Sequence, residues 1–274
     1  MPNWIELEGV ANLRDVGGIP TIDGGSIAVN RLLRSDNLQT LTVDDIAELQ
    51  RRGLTDVIDL RSMVETVSEG PGPMTRQQHV ALHHHSLFVE AVPAEAVPAD
   101  AVPADAESGS GVRAVAAAAA LPWIGKEAST SHDIPSTAHY LSYLTDRPDS
   151  VLAALRAIAN AEGAALVHCA AGKDRTGTVV ALALLVAGAE PEAVVADYAA
   201  SSDRVQQVLD RLLASATYAD NLRGRPVESH LSDPAIMRAM IDRITDQYGG
   251  VGPYLQTIGW TDADSTAMRA KLLD

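Results

Sequence analysis

The residues best placed to do chemistry lie in one run, His168-Cys169-Ala170-Ala171-Gly172-Lys173-Asp174-Arg175-Thr176-Gly177. It holds the only cysteine in the chain, and five residues separate that cysteine from an arginine. Consecutive backbone N–H groups in a tight loop, followed by the positive end of a helix, form a cradle for a tetrahedral oxyanion such as a phosphoryl group. Residues Ala170, Ala171, Gly172 and Lys173 would supply that backbone, and Gly172 lets it curl without a Cβ penalty. Arg175 offers a planar fork that holds two phosphoryl oxygens at once. The same field favours the thiolate of Cys169 over its thiol. A thiolate facing a bound phosphoryl group is a nucleophile with its electrophile in place. Thr176 can hydrogen-bond the sulfur and make it a better leaving group in a second step, while His168 is suited to orient the cradle and tune the thiolate. A lone cysteine is often an inert core thiol, but Lys173, Asp174 and Arg175 do not belong in a core.

The flanking elements place this run at a strand-to-helix junction. Ala164–His168 reads as a short apolar strand, and Thr176–Ala187 as a helix apolar nearly all round, ended by Gly188. Upstream, residues 1–35 read as short extended pieces joined by turns at Gly17-Gly18 and Asp23-Gly24-Gly25, with a strand at Arg31–Arg34. Val43, Ile46, Leu49 and Leu54 recur at helical spacing, with Asp44 and Asp45 in the first turn, and Thr55–Leu60 follows as a buried strand. Helix then strand predicts an α/β layering with a mostly parallel sheet. Helices are predicted over Ala138–Leu144, Ser150–Ala161, Pro191 to about Ala200, Arg204–Ala214, Asp233–Tyr248 and Asp262–Leu273, a helix-rich C-terminal half. Residues 1–274 are expected to form one domain with an insertion at about 89–120. There, Ala91–Glu95, Ala96–Asp100 and Ala101–Asp105 repeat a five-residue unit, followed by a Ser-Gly stretch and five alanines. Prolines at that spacing forbid a continuous helix, so this segment reads as an extended surface insertion or a lid.

Composition excludes several classes. With 21 Lys and Arg against 36 Asp and Glu, the net charge is -15. Bulk charge of that sign opposes non-specific nucleic-acid binding and docking on anionic lipid. One cysteine cannot make an intramolecular disulfide or a thiolate metal site. The longest apolar run, Val179–Ala187, is too short to span a bilayer, and no signal peptide is visible. The expectation is a cytoplasmic protein without stable membrane insertion, although a leaderless export route would leave no readable trace.

The run at 168–176 matches the H-C-x5-R-[S/T] motif of cysteine-dependent protein tyrosine phosphatases. Asn12–Gly18 (NLRDVGG), Leu33-Arg34-Ser35, Val57–Ser62 (VIDLRS) with Glu65, and Tyr248–Leu255 (YGGVGPYL) resemble the spaced blocks of bacterial tyrosine phosphatases of the PtpB type. The resemblance covers nearly the whole chain except about residues 70–135. It implies a four-stranded parallel sheet flanked by helices, extra helices lidding the site, Cys169 as nucleophile, Arg175 as phosphate clamp and 170–174 as backbone cradle. Lys173 and Asp174 before the loop arginine resemble lipid phosphatases, so phosphoinositides stand beside phosphorylated proteins as candidate substrates. No cofactor is implied.

The general acid is less defined. Aryl phosphate cleavage needs a group to protonate the leaving oxygen, and the family resemblance implies that it lies on the loop after the strand that follows the DLRS block. Here that region reads Leu82–Glu90 (LHHHSLFVE), without Asp, so Asp174 in the cradle is the first candidate and Glu90 the second. A purely structural loop anchor is an equal reading of Asp174. Strand alternation would put His83 and His85 on one face, but no third ligand of matching spacing accompanies them, so no metal is expected. Arg14 with Asp15, and Asp59 with Arg61, read as anchors near strand ends, while Arg113 and Lys126 receive no role. Two other classes remain open: an inactive phosphatase that binds phospho-ligands, and a rhodanese-like sulfur transferase. The five-residue spacing to Arg175 and the Thr after it favour phosphate.

Overall fold

A computed structural model describes residues 2–90 and 135–273. The chain order is β1 (Asn3–Trp4), β2 (Arg14–Asp15), β3 (Leu32–Ser35), α1 (Val43–Arg51), β4 (Leu54–Asp59), α2 (Met63–Glu69) and β5 (Ala81–His84). After the insertion come α3 (Pro135–Asp146), α4 (Pro148–Asn160), β6 (Ala164–His168), α5 (Asp174–Ala187), α6 (Pro191–Ala200) and α7 (Val205–Ala214). A short α8 (Ala219–Leu222), then α9 (Pro234–Tyr248), α10 (Val251–Thr257) and α11 (Asp262–Leu273) complete the described chain.

The sheet runs β1-β2-β3-β6-β4-β5. Strands β3, β6, β4 and β5 are parallel, while β1 and β2 add antiparallel pairs at one edge. The four-stranded parallel unit that the family resemblance implies is therefore present, extended by two strands too short to show alternation. All five residues of β6 are buried, because helices cover both faces. Side chains alternate accordingly: Ala165 and Val167 join one core with α4 and α5, and Ala164 and Leu166 join another with Leu49 and Ile46 of α1. Ser35 of β3, His168 of β6 and Asp59 of β4 lie in register. Three strands thus end at one level, and the loops after them open into the crevice beyond their carboxyl ends, where ligands bind in open parallel sheets.

Helix α5 is the central one, with eleven of its residues buried. Its small residues admit close neighbours: a Cβ on Gly177 would come within 2.9 Å of the Tyr198 ring. It begins at Asp174, two residues ahead of the expected start, so the loop's last charged residues already occupy the first turn. Leu54 is corrected from the α1 pattern to β4. Arg52 caps α1 and Gly53 has φ +78°, which turns the chain into the strand. Helices α2, α8 and α10 are additional to the helices that the sequence pattern predicts. The low-complexity segment expected at 89–120 lies, but for Val89 and Glu90, outside the described residues, as do Arg113 and Lys126. No helix among the described residues is long and apolar enough to cross a membrane.

Candidate active site

The loop after β6 is held from outside by its carbonyl groups. Asn37 N donates to Ala170 O at 2.9 Å. Asn12 Nδ2 donates to Ala171 O at 2.9 Å and to Gly172 O at 3.2 Å. Arg34 Nη2 donates to Gly172 O at 2.9 Å and Lys173 O at 3.4 Å. His168 Nδ1 lies 3.3 Å from Cys169 O. A planar peptide points each following N–H opposite to its carbonyl. The N–H groups of residues 170–174 are thereby turned away from these partners, toward the hollow of the loop. Gly172 has φ +67°, and a Cβ there would fall 2.4 Å from Ser35 O. Only glycine meets both conditions.

Arg175 leaves the first turn of α5 and is 3% exposed, like the 2% exposed Cys169. Glu65 grips it with both oxygens, at 2.6 Å from Nη1 and 3.0 Å from Nη2. Arg175 Cζ also lies 4.6 Å from the centre of the Phe88 ring. Burial disfavours the charged guanidinium, but Glu65 and Cys169 outweigh it and keep its pKa above the ordinary value. Glu65 is fully buried, and burial would raise its pKa; Arg175 and the N–H of Ser62 instead hold it below the usual carboxylate range. Ser62 and Glu65 form a capping box at the start of α2, so one carboxylate both begins a helix and aims the arginine. In the sequence Glu65 stands out only as part of a resembling block. The S-x-x-E spacing signals a helix start, but nothing local signals a partner 110 residues away.

Asp174 accepts a hydrogen bond from the Tyr140 hydroxyl, which lies 2.7 Å from the Tyr198 hydroxyl. Lys173 Nζ is 3.5 Å from Asp174 Oδ1 and donates to His230 O at 2.9 Å. Burial pushes the Asp174 carboxyl up, yet Lys173, the Tyr140 hydroxyl, His139 and Arg175 together hold its pKa below the ordinary value. Glu90, the second expected acid, instead accepts from Met63 N at the start of α2. It does not line the cavity over Cys169.

His168 is buried, and desolvation lowers its pKa to about 4 despite the attraction of Asp59, whose carboxylate is 3.7 Å from Nε2. The ring is therefore neutral at physiological pH. Asp59 in turn takes Arg61 Nη2 at 2.6 Å, and Arg61 Nη1 reaches Asn37 Oδ1 at 3.1 Å. Asp59 and Arg61 are thus anchors, and through Asn37 they reach the loop at Ala170. Asp15 is an anchor too, accepting from Gly17 N and Asn30 N. His83 Nε2 pairs with Asp56 at 2.8 Å, and His84 Nε2 lies 2.8 Å from Arg61 O. No cluster of three or more metal-binding side chains occurs among the described residues. Thr176 is fully buried, and its hydroxyl has no hydrogen-bond partner among the described residues.

A cavity of about 360 Å³ opens over this floor. Cys169, Ala170, Ala171, Lys173, Asp174 and Arg175 form its base, and Val208, Leu209, Leu212, Tyr218 and Leu222 form an apolar wall from α7, α8 and the turn between them. The site thus joins a buried thiol, a tight loop whose carbonyls are bonded by Asn12, Arg34 and Asn37, and an arginine clamped by Glu65, at the end of a parallel strand.

Comparison with known proteins gives the class and the family. Residues 5–274 match the Tyrosine phosphatase family, and the chain belongs to it. It is 30% identical to the triple specificity protein phosphatase PtpB of Mycobacterium tuberculosis, the match spanning 98% of each chain. It is 33% identical to a tyrosine-protein phosphatase of Nostoc commune over 43% of this chain and 42% of that one. The crystal structure of TpbA from P. aeruginosa aligns over 87% of this chain and 95% of the other, at 16% identity and a TM-score of 0.34. The protein is a protein-tyrosine phosphatase.

Proposed function

We propose that the enzyme works through a phosphocysteine intermediate without a metal, and that residues 1–274 act as one catalytic domain. The observation that carries this reading is that Cys169, Arg175 and Asp174 line one cavity over a loop whose carbonyls are bonded on its outer side. The inward N–H groups and Arg175 stabilise charge developing on the equatorial oxygens. Cys169 Sγ attacks phosphorus and the bond to the leaving oxygen breaks, while protonated Asp174 delivers a proton to that oxygen. Water then attacks the phosphocysteine, Asp174 takes its proton, the S–P bond breaks, and inorganic phosphate leaves. A bound phosphate dianion beside Asp174 raises its proton affinity, which supplies the acid form that the empty site disfavours. The hydroxyl of Thr176, buried with no hydrogen-bond partner among the described residues, is the donor suited to the departing thiolate.

The apolar wall of the cavity suits an aromatic leaving group, so phosphotyrosine in proteins is the primary substrate class. Phosphoserine, phosphothreonine and phosphoinositides are the further classes, in keeping with the triple specificity in the name of the mycobacterial relative. A single thiol with no partner for a protecting disulfide fits a reducing compartment, and we place the activity in the cytoplasm. The test is hydrolysis of phosphotyrosine, phosphoserine and phosphoinositide substrates by the wild type and Cys169→Ser. The variant is expected to bind phosphate and hydrolyse nothing, and turnover by it refutes the mechanism. For the acid, Asp174→Asn is expected to lose the alkaline limb of the pH–rate profile with poor leaving groups. Glu90→Gln is expected to leave that profile unchanged, and the reverse pattern transfers the role to Glu90.

A further inference from the structure

The cradle is held by two arms that meet at one carboxylate on α6. Asp197 Oδ1 accepts from Arg14 Nε at 2.8 Å, and Oδ2 from Arg34 Nη1 at 2.5 Å. The Asp197 carbonyl takes Arg14 Nη2 at 2.8 Å as well. From this node the first arm is Arg34, whose Nη2 reaches Gly172 O and Lys173 O. The second runs through Arg14, whose Nη1 donates to Asn12 Oδ1 at 2.5 Å. That bond fixes the orientation of the Asn12 amide, because an arginine can only donate. Nδ2 is thereby left facing Ala171 O and Gly172 O. Arg14 and Arg34 are 0% and 1% exposed, so solvent cannot replace any of these contacts.

We infer that Asp197 is a positioning residue for the phosphate cradle, acting through Arg34 and through Arg14 and Asn12; this rests on reading the 168–177 loop as that cradle. The physical need arises at Gly172. The approach to Ser35 O excludes any side chain there, and a glycine loop is conformationally loose. A peptide flip at 171–173 would turn a carbonyl inward and place its oxygen against a phosphoryl oxygen. Asn12 and Arg34 oppose that flip by bonding the carbonyls on the outside. Asp197 in turn keeps two buried guanidinium groups side by side, where alone they would repel. The sequence separates these residues widely, with Arg14 and Asp197 lying 183 positions apart.

The test uses the full chain and titrates inorganic tungstate, a non-hydrolysable phosphate mimic, by calorimetry into wild type, Asp197→Asn and Arg34→Lys. Arg34→Lys keeps the charge but cannot span Asp197 and Gly172 O together, so it reports on the arm even if Asp197→Asn fails to fold. Circular dichroism establishes that each protein titrated is folded. Loss of charge-assisted hydrogen bonds of this kind predicts weakening of tungstate binding by about tenfold or more. With p-nitrophenyl phosphate, kcat is expected to fall while the pH limbs stay in place, an effect that lowered stability alone would not produce. If folded Arg34→Lys binds tungstate within threefold of wild type, the positioning role is overturned. If the wild type itself binds no tungstate, it is the reading of the cradle that fails.

Discussion

Replacing Glu65 by Gln exposes how much of the site depends on one buried ion pair. Glu65 is fully buried and holds Arg175 at 2.6 and 3.0 Å. The amide keeps the shape but presents an NH2 group to a guanidinium that is only 3% exposed. Removing one partner of a buried pair costs about 3–5 kcal/mol. Part of that falls on α2, because Glu65 Oε2 also accepts from Ser62 N at 2.7 Å, and weakening a cap costs about 1 kcal/mol. A total of about 4 kcal/mol is a large share of the roughly 5–15 kcal/mol that folded chains possess, so the variant should fold but unfold at much lower urea. Fluorescence of Trp260, which is buried in the core, follows the transition. Arg175→Met alone strands the carboxylate at similar cost, while the double variant strands neither charge. The cycle should therefore show a coupling energy of at least about 2 kcal/mol, where independent sites add within about 0.5 kcal/mol. The kcat/KM of Glu65→Gln should fall about a hundredfold, since a small displacement of a positioned group costs that much. Additive stabilities together with unchanged kcat/KM would refute the argument that Glu65 aims Arg175.

Other perturbations read other parts of the site. Gly172→Ala places a Cβ 2.4 Å from Ser35 O at φ +67°. The backbone strain predicts a loss of about 1–3 kcal/mol in thermal or urea unfolding, together with weaker tungstate binding, and a neutral result contradicts the packed geometry. Tyr140→Phe removes a donor that favours the Asp174 carboxylate. The Asp174 pKa should rise, and the alkaline limb of the pH–rate profile should move to higher pH; a shift the other way sinks the assignment. His168 has a pKa of about 4 against an ordinary 6.5. The unfolded chain therefore binds a proton that the folded chain refuses, and stability falls as pH drops from about 6.5 to about 4. The full loss is about 3 kcal/mol. Urea midpoints across that range should fall more steeply for wild type than for His168→Gln, and parallel curves would show that the ring is not the cause.

The junction at 164–187 was legible because every signal in it is local. An apolar strand, a glycine-bearing loop and an apolar helix are each written in adjacent residues, and α6 and α11 likewise begin and end where propensity and spacing place them. Leu54 misled because it continues the helical period after Arg52 and Gly53 have already turned the chain into β4. Strand β5 carries Ala81, Leu82 and His84 exposed at a sheet edge, so it lacks the apolar run that marks a buried parallel strand. Helix α2 is only seven residues long, and Glu65 alone of them is buried, leaving no apolar stripe to read.

The sequence by itself determined the chemistry on offer: a thiol, an arginine six positions later, and a glycine loop set between a strand and a helix. Bonded geometry and short-range spacing suffice for that. Tertiary structure decided which groups control those residues. Glu65 meets Arg175, Tyr140 meets Asp174, and Asp197 gathers Arg14 and Arg34, across separations of 110, 34, 183 and 163 positions. A charged side chain carries no mark of its partner in sequence. Its partner is whichever opposite charge the packed layers leave beside it once water has been removed, and here the packed layers surround the 169–175 loop with groups that bond its carbonyls and its arginine.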